Sequence, residues 1–263
     1  MSAQRNLAGF RARLHEQGAL SSILLSIPSP AVASILGWSG ADYVVIDAEH
    51  GAFTLESLRA CVEAIEPTPA ACVIRVAGHD EVLIKQALDL GIDGVQVPTV
   101  NTKEEAERVV WASRYPPEGG RGVGVGRASG YGREIGRYVT EANDRVAVLV
   151  MLETEEGLDN VDEVAQVEGL DGIVIGPADL AVSMGLGIDP VHPRMLAAYE
   201  RVAAVGRERG VKVGVGGPLT DAGRWFAKGA DLVLVLVDSG ALAGAAKQAL
   251  AVLDEVLEAA SAD

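Results

Sequence analysis

Eight short runs dominated by Val, Ile, Leu and Ala recur along this chain, and the stretches between them place apolar residues at helical spacing. The runs are Ser22–Ile27, Tyr43–Glu49, Ala71–Val76, Gly94–Pro98, Ala147–Glu153, 172–176, Lys212–Gly216 and Leu232–Val237. Helices are expected over 4–17, 30–39, from Thr54 through Ile65, 80–90, Asn101 to Arg114, 157–166, from Pro193 to Arg209, 220–228 and Ala241 to Ala259. Strands without polar alternation are buried on both faces, which is the habit of parallel sheets covered by helices. Eight strand–helix units with no break resembling a linker predict an α/β fold, a single (β/α)8 TIM barrel domain over residues 1–263. An open doubly wound sheet is the rival. It is disfavoured because the units number eight and no glycine-rich dinucleotide loop follows the first strand. A hydrophobic content of 49% with only 4% aromatics gives such a barrel an aliphatic core.

Residues 115–145 break the rhythm. Pro116-Pro117-Glu118-Gly119-Gly120-Arg121-Gly122-Val123-Gly124-Val125-Gly126-Arg127 is too rich in Gly and Arg for a routine connection, so a long functional or mobile loop is expected there. A net charge of −15 argues against nucleic acid and anionic membrane as partners, since both would be repelled. Cys61 and Cys72 show no metal-ligand spacing and read as reduced, partly buried thiols. No signal-peptide core or membrane-length apolar run is found, so a cytoplasmic protein is expected.

A barrel places its chemistry where strands end. The polar residues fall there: Asp47-Ala48-Glu49-His50-Gly51 after strand two, Arg75 after three, Gln96 after four, Glu153 after five, Asp179 shortly after six and Asp238 after eight. Glu153 and Asp179 stand 26 positions apart, about one strand–helix–strand repeat, so both carboxylates would emerge at the same end. Each acid alone could cap the following helix; together they suit a divalent cation that keeps positions for substrate. His50 beside two acids suits proton transfer near neutrality, or else satisfies local backbone groups. Arg75 demands an anion, either an internal acid such as Glu49 or a carboxylate or oxyanion of a substrate. Gly214-Val215-Gly216-Gly217 has the composition of a phosphate-binding turn but also of a plain tight turn. Lys212 starts its strand, at the wrong barrel end for a Schiff base.

With these residues assembled, the sequence resembles the HpcH/HpaI aldolase family of metal-dependent pyruvate aldolases over about residues 5–255. The carriers are Asp47-Ala48-Glu49-His50-Gly51, Val73-Ile74-Arg75-Val76, the segment from Ile84 to Gly91, Val97 to Thr102, Tyr115-Pro116-Pro117 with Arg121-Gly122-Val123-Gly124, Arg127-Ala128-Ser129, Leu152-Glu153-Thr154 and Gly176-Pro177-Ala178-Asp179-Leu180. The resemblance implies a barrel of the phosphoenolpyruvate/pyruvate type, with the last helix exchanged between subunits of a homo-oligomer, a hexamer built as a dimer of trimers. It implies Mg²⁺ or Mn²⁺, with Co²⁺ or Zn²⁺ as further choices, on Glu153 and Asp179. It implies that Gly176, Pro177, Ala178, Asp179 and Arg75 contact a small 2-oxoacid, with an aldehyde as the second substrate. Arg75 would steady a pyruvate enolate, His50 with Asp47 would move the proton, Asp89 would serve near a neighbour's active site, and Arg127 would reach across a subunit contact. The implied activity is cleavage or formation of the C3–C4 bond of 4-hydroxy-2-oxoacids. Decarboxylation of oxaloacetate-like acids and a non-catalytic 2-oxoacid-binding barrel are the alternatives. One departure stands out: Met151 occupies a position where the family often carries Gln, and a thioether is a weak acceptor.

Overall fold

The computed structural model describes residues 9–189, 191–216 and 222–261. Eight strands, β1 (Leu20–Leu25), β2 (Tyr43–Asp47), β3 (Ala71–Arg75), β4 (Gly94–Val97), β5 (Ala147–Leu152), β6 (Gly172–Ile175), β7 (Lys212–Gly216) and β8 (Leu232–Val237), pair in parallel and in sequence order. β8 returns to β1 and closes the barrel. The helices are α1 (Gly9–Glu16), α2 (Pro30–Gly37), α3 (Leu55–Ile65), α4 (Glu81–Asp89), α5 (Lys103–Ser113), α6 (Ile135–Arg145), α7 (Glu155–Asp159), α8 (Val161–Val164), α9 (Pro177–Ser183), α10 (Pro193–Arg209), α11 (Ala222–Ala227) and α12 (Asp238–Ser261).

Alternation along the strands divides the core in two. One face, including Val44, Ile46, Cys72, Ile74, Val148, Val150, Ile173 and Val213, packs against the surrounding helices. The other fills the barrel with Leu20, Tyr43, Val45, Ala71, Val73, Ala147, Leu149 and Leu232. Phe10 and Leu14 of α1 join this inner set, with the Phe10 ring 5.1 Å from that of Tyr43. Because their partners open the strands, α1 stoppers the N-terminal end of the barrel.

That end is also tied by a fourfold repeat. Gly40-Ala41-Asp42, Gly91-Ile92-Asp93, Gly169-Leu170-Asp171 and Gly229-Ala230-Asp231 each lead into an even-numbered strand. The glycines have φ of 97°, 77°, 86° and 96°, a turn conformation that costs a side-chain-bearing residue energy. Each aspartate accepts from a backbone N–H of the preceding odd strand: Ser21 at 2.9 Å, Cys72 at 2.9 Å, Val148 at 2.8 Å and Val213 at 2.9 Å. Asp171 also takes Arg11 at 2.7 Å, His15 at 2.9 Å and the buried Arg114 at 2.9 Å. Lys212 is spent on Asp231, 3.3 Å away, at this end. Structural polar groups thus occupy the bottom, and the top is left to chemistry.

The first helix is described from Gly9, and its expected start at residue 4 lies outside the described residues. Two other expected elements take a different form. The stretch 115–145 is not one irregular loop, because a 3-10 turn at Arg127–Ser129 and the helix α6 occupy its second half. Its glycines end at Gly136, and beyond them nothing opposes a helix. The helix expected over 157–166 is two short ones, parted at Asn160, whose ψ of 7° is not helical.

Candidate active site

Asp47 ends β2 and lies in register with Arg75 at the end of β3. Its carboxylate grips the guanidinium twice, with Arg75 Nε at 2.9 Å and Nη2 at 2.8 Å, and it also accepts the N–H groups of Glu49 and His50 at 3.2 Å. Asp47 is only 3% exposed. Burial alone would raise its pKa, but the hydrogen bonds and charge of Arg75, with those two backbone N–H groups, hold the carboxyl below its usual range. Glu49 Oε2 sits 3.3 Å from Arg75 Nε and 3.7 Å from His50 Nε2. Burial, reinforced by the charges of Glu153 and Asp47, pushes the Glu49 carboxyl up despite Arg75 and His50. Arg75 thus faces two acids, and its Nη1 makes no hydrogen bond to a described residue.

The expected pairing of His50 with Asp47 takes a different form. Asp47 contacts the His50 backbone, while the carboxylate nearest the imidazole belongs to Glu49. The His50 side chain is 67% exposed and projects from the turn after β2.

Glu153 follows β5 and is buried. Its Oε1 accepts both the N–H of Thr99 at 2.7 Å and the Thr99 hydroxyl at 2.6 Å. Thr99 has φ 52°, a left-handed conformation that is costly for a β-branched residue. Strain of this kind concentrates where a side chain must be aimed, and here it aims two donors at one oxygen. Nothing in the residues around Thr99 signals this. Glu153 Oε2 makes no such bond to a described residue, and it lies where Gly176 lacks a side chain: a Cβ there would come within 2.7 Å of it. Asp179, in the first turn of α9, is exposed and forms no hydrogen bond or ion pair with a described residue. Neither acid is a helix cap. Thr154 caps α7 by accepting from Gly157 N at 3.0 Å, and α9 begins at Gly176 with no side-chain cap. The two carboxylates therefore keep oxygen lone pairs for an outside partner, which fits a hard cation that takes oxygen ligands.

Between these groups opens a cavity of about 200 Å³, running from Arg75, Gly176, Pro177, Ala178 and Asp179 at the rim down to Ser22 and Tyr43 inside the barrel. Gln96 and Met151 project into it, and the Gln96 amide donates to the Met151 sulfur at 3.0 Å. A larger cleft of about 310 Å³ lies beside α6, far from these groups, and its arginines are matched by acids: Arg127 by Glu66, Arg137 by Glu134 and Arg145 by Glu141.

Asp89 and Arg127 are not brought to the mouth. Asp89 ends α4, which returns from the top of β3 toward the N-terminal end, and it pairs with Arg121 at 3.0 Å. Arg121 is itself enclosed between the Tyr115 and Tyr138 rings. Arg127 is consumed within the chain by Glu66, Glu63 and the Leu90 carbonyl. Asp238 is structural, accepting from Ser26 and Ile27 at 2.9 Å and so tying the β1 exit to α12. Gly217 of the glycine-rich turn lies outside the described residues, while Gly214 and Gly216 line the cavity.

A closed parallel barrel whose acids, arginine and histidine stand at the strand ends, with Arg75 and Asp179 lining a cavity there, is a (β/α)8 enzyme. The chain belongs to the HpcH/HpaI aldolase/citrate lyase family, whose model matches residues 22–245. A 4-hydroxy-2-oxovalerate aldolase of Novosphingobium aromaticivorans is 40% identical over 213 residues, 79% of this chain and 81% of that protein. A 4-hydroxy-2-oxo-heptane-1,7-dioate aldolase of Escherichia coli is 40% identical over 241 residues, 90% of this chain and 92% of its own. The crystal structure of a family protein from Burkholderia cenocepacia superposes with a TM-score of 0.89 at 33% identity, covering 93% of this chain and 98% of the other. The protein is accordingly a carbon–carbon lyase of the aldolase kind. Among the described residues, no helix is long and apolar enough to cross a membrane.

Proposed function

We propose that this aldolase depends on a divalent cation and cleaves or forms the C3–C4 bond of 4-hydroxy-2-oxoacids by way of a pyruvate enolate. The observation that carries the reading is the pair of uncommitted carboxylate groups, Glu153 Oε2 beside Gly176 and Asp179 at the rim that also holds Arg75 and Gly176. When bound by Glu153 and Asp179, such a cation (Mg²⁺ or Mn²⁺, with Co²⁺ or Zn²⁺ as substitutes) supplies Lewis-acid polarisation of the 2-oxo group.

The remaining work falls to side chains. Thr99 fixes one oxygen of Glu153 and so orients the other. Gly176 leaves room for that oxygen, and the opening turn of α9 faces the substrate carboxylate. His50 accepts the proton of the C4 hydroxyl through a water, with Glu49 as the nearest carboxylate to its imidazole and Asp47 fixing its backbone. The C3–C4 bonding pair becomes the enolate, the aldehyde departs, and the Nη1 side of Arg75 steadies the oxyanion. Protonation at C3 then gives pyruvate.

A homo-oligomer, a hexamer built as a dimer of trimers with α12 exchanged between subunits, accounts for the exposed Leu242, Leu250, Val252 and Leu253 on that helix. In that assembly Asp89 serves a neighbour's site. The buried, reduced Cys61 and Cys72 suit a cytoplasmic location. Product analysis on 4-hydroxy-2-oxopentanoate with Mg²⁺ tests the chemistry. Acetaldehyde and pyruvate in equal amounts are expected. CO₂ release from oxaloacetate with no aldehyde from the hydroxy acid would make the protein a decarboxylase instead, and binding without turnover would make it a carrier.

A further inference from the structure

Proline has no N–H, so the one backbone hydrogen-bonding group of Pro98 is its carbonyl. That carbonyl accepts from His79 Nε2 at 2.7 Å. Because a carbonyl only accepts, Nε2 carries the proton, and in the neutral imidazole Nδ1 does not. The other end of the same planar peptide unit is the Thr99 N–H, which donates to Glu153 Oε1 at 2.7 Å. One peptide is therefore gripped at both ends, by His79 on one side and by Glu153 on the other.

The grip crosses three strand ends. His79 lies in the turn between β3 and α4, one residue before Asp80, which caps α4 by accepting from Val82 N at 2.7 Å. Pro98 and Thr99 follow β4, and Glu153 follows β5. The chain on either side of this peptide is fixed: Val97 is paired with Val150 of β5, and the Val100 N–H donates to the Met151 carbonyl at 3.0 Å. The Pro98–Thr99 peptide can therefore turn while its neighbours stay in place. A half-turn of its plane would carry Thr99 from φ 52° to the ordinary negative side and relieve the left-handed strain. It would also swing the N–H away from Glu153, which would keep only the Thr99 hydroxyl. Thr99 is exposed, so water can satisfy the turned peptide. The costlier orientation is held from both ends, and the His79 bond supplies the hold from outside the site. Donation into the carbonyl also polarises the amide and strengthens its N–H as a donor.

Resting on the cation reading above, we infer that His79 is a positioning residue for the cation site. It sets the plane of the Pro98–Thr99 peptide, and through that peptide the aim of Glu153 and the affinity for a divalent cation. His79 acts at one remove, without touching substrate or cation.

The test compares His79→Ala and His79→Gln with wild type. A glutamine amide can offer an N–H in place of Nε2, and alanine cannot. NMR of the metal-free, isotope-labelled protein reads the Thr99 and Val100 amides. In His79→Ala the Thr99 amide proton is expected to move upfield and to exchange with solvent at least about tenfold faster, while the Val100 amide keeps its protection. Calorimetric titration with Mn²⁺ is expected to show affinity weakened by about 10–100-fold in His79→Ala. His79→Gln is expected to restore both readouts. An unmoved Thr99 amide, protection lost at Val100 as well as at Thr99, an unchanged Mn²⁺ affinity in His79→Ala, or no recovery in His79→Gln overturns the inference while leaving the cation reading standing. Mn²⁺ bound as tightly by Glu153→Ala as by wild type removes the cation reading instead, and the Thr99 amide of the metal-free protein still decides whether His79 sets the peptide.

Discussion

Replacing Asp47 by Asn keeps the shape of the side chain and removes its charge where Arg75 depends on it most. The carboxylate now receives two bonds from the guanidinium, at 2.9 and 2.8 Å, in a setting where Asp47 is 3% exposed. An amide offers one acceptor and turns an N–H group toward the other donor, so at least one charge-assisted bond is lost, a loss of about 1.5–3 kcal/mol. Orphaning a buried charge completely costs about 3–5 kcal/mol, but Arg75 retains Glu49, so about 2–3 kcal/mol is expected. Urea unfolding at fixed protein concentration measures it, because any self-association would contribute to apparent stability. The pH dependence supplies the signature. The folded-state pKa of Asp47 lies below its unfolded value, so the stabilisation is fully present above about pH 4, the unfolded range, and disappears as pH falls through the folded value. The Asn variant is expected to be less stable at neutral pH, with the gap to wild type closing in acid. A midpoint unchanged at pH 7, or a gap independent of pH, would refute the argument that Asp47 is the anion holding Arg75.

Thr99→Val retains the backbone donor to Glu153 but deletes the hydroxyl at 2.6 Å, and loss of such an outer contact is expected to weaken Mn²⁺ binding by about 10–100-fold. Calorimetric titration of the metal-free protein measures it, and an unaltered affinity would detach Thr99 from the cation site. Arg75→Lys replaces a fork shared by two carboxylates with a point charge and is expected to lower kcat by about 100-fold, with a smaller change in KM. A rise in KM alone would assign Arg75 to ground-state binding rather than to the enolate.

The barrel was legible because parallel strands buried on both faces leave uninterrupted β-branched runs, and Tyr43-Val44-Val45-Ile46 or Ala147-Val148-Leu149-Val150 admit few other readings. The strand-end rule points to Asp47, Arg75, Glu153 and Asp179 from the sequence alone. What stayed hidden depends on contacts between distant segments. The partner of Thr99 lies 54 residues away in sequence, and the left-handed backbone that aims Thr99 carries no glycine or asparagine to announce it. The preference of His50 for Glu49 over Asp47 arises in the turn after β2, where Asp47 is already occupied by Arg75 from the next strand. Composition misled once, when Gly and Arg between Gly119 and Arg127 obscured the helix α6 that follows. The four Gly-x-Asp repeats were visible as letters, but their common purpose emerges only when the odd and even strands lie side by side.

The central claim is that Glu153 and Asp179 together hold the cation on which enolate formation depends. Methyl-proton exchange of pyruvate in deuterated buffer tests it most directly, because it requires enolisation and no aldehyde. Wild-type protein with Mg²⁺ or Mn²⁺ is expected to exchange the methyl protons, a chelator to stop it, and Glu153→Ala to abolish it while the circular dichroism of the barrel is retained. Exchange that continues at the full rate in the chelated protein or in Glu153→Ala would contradict the account.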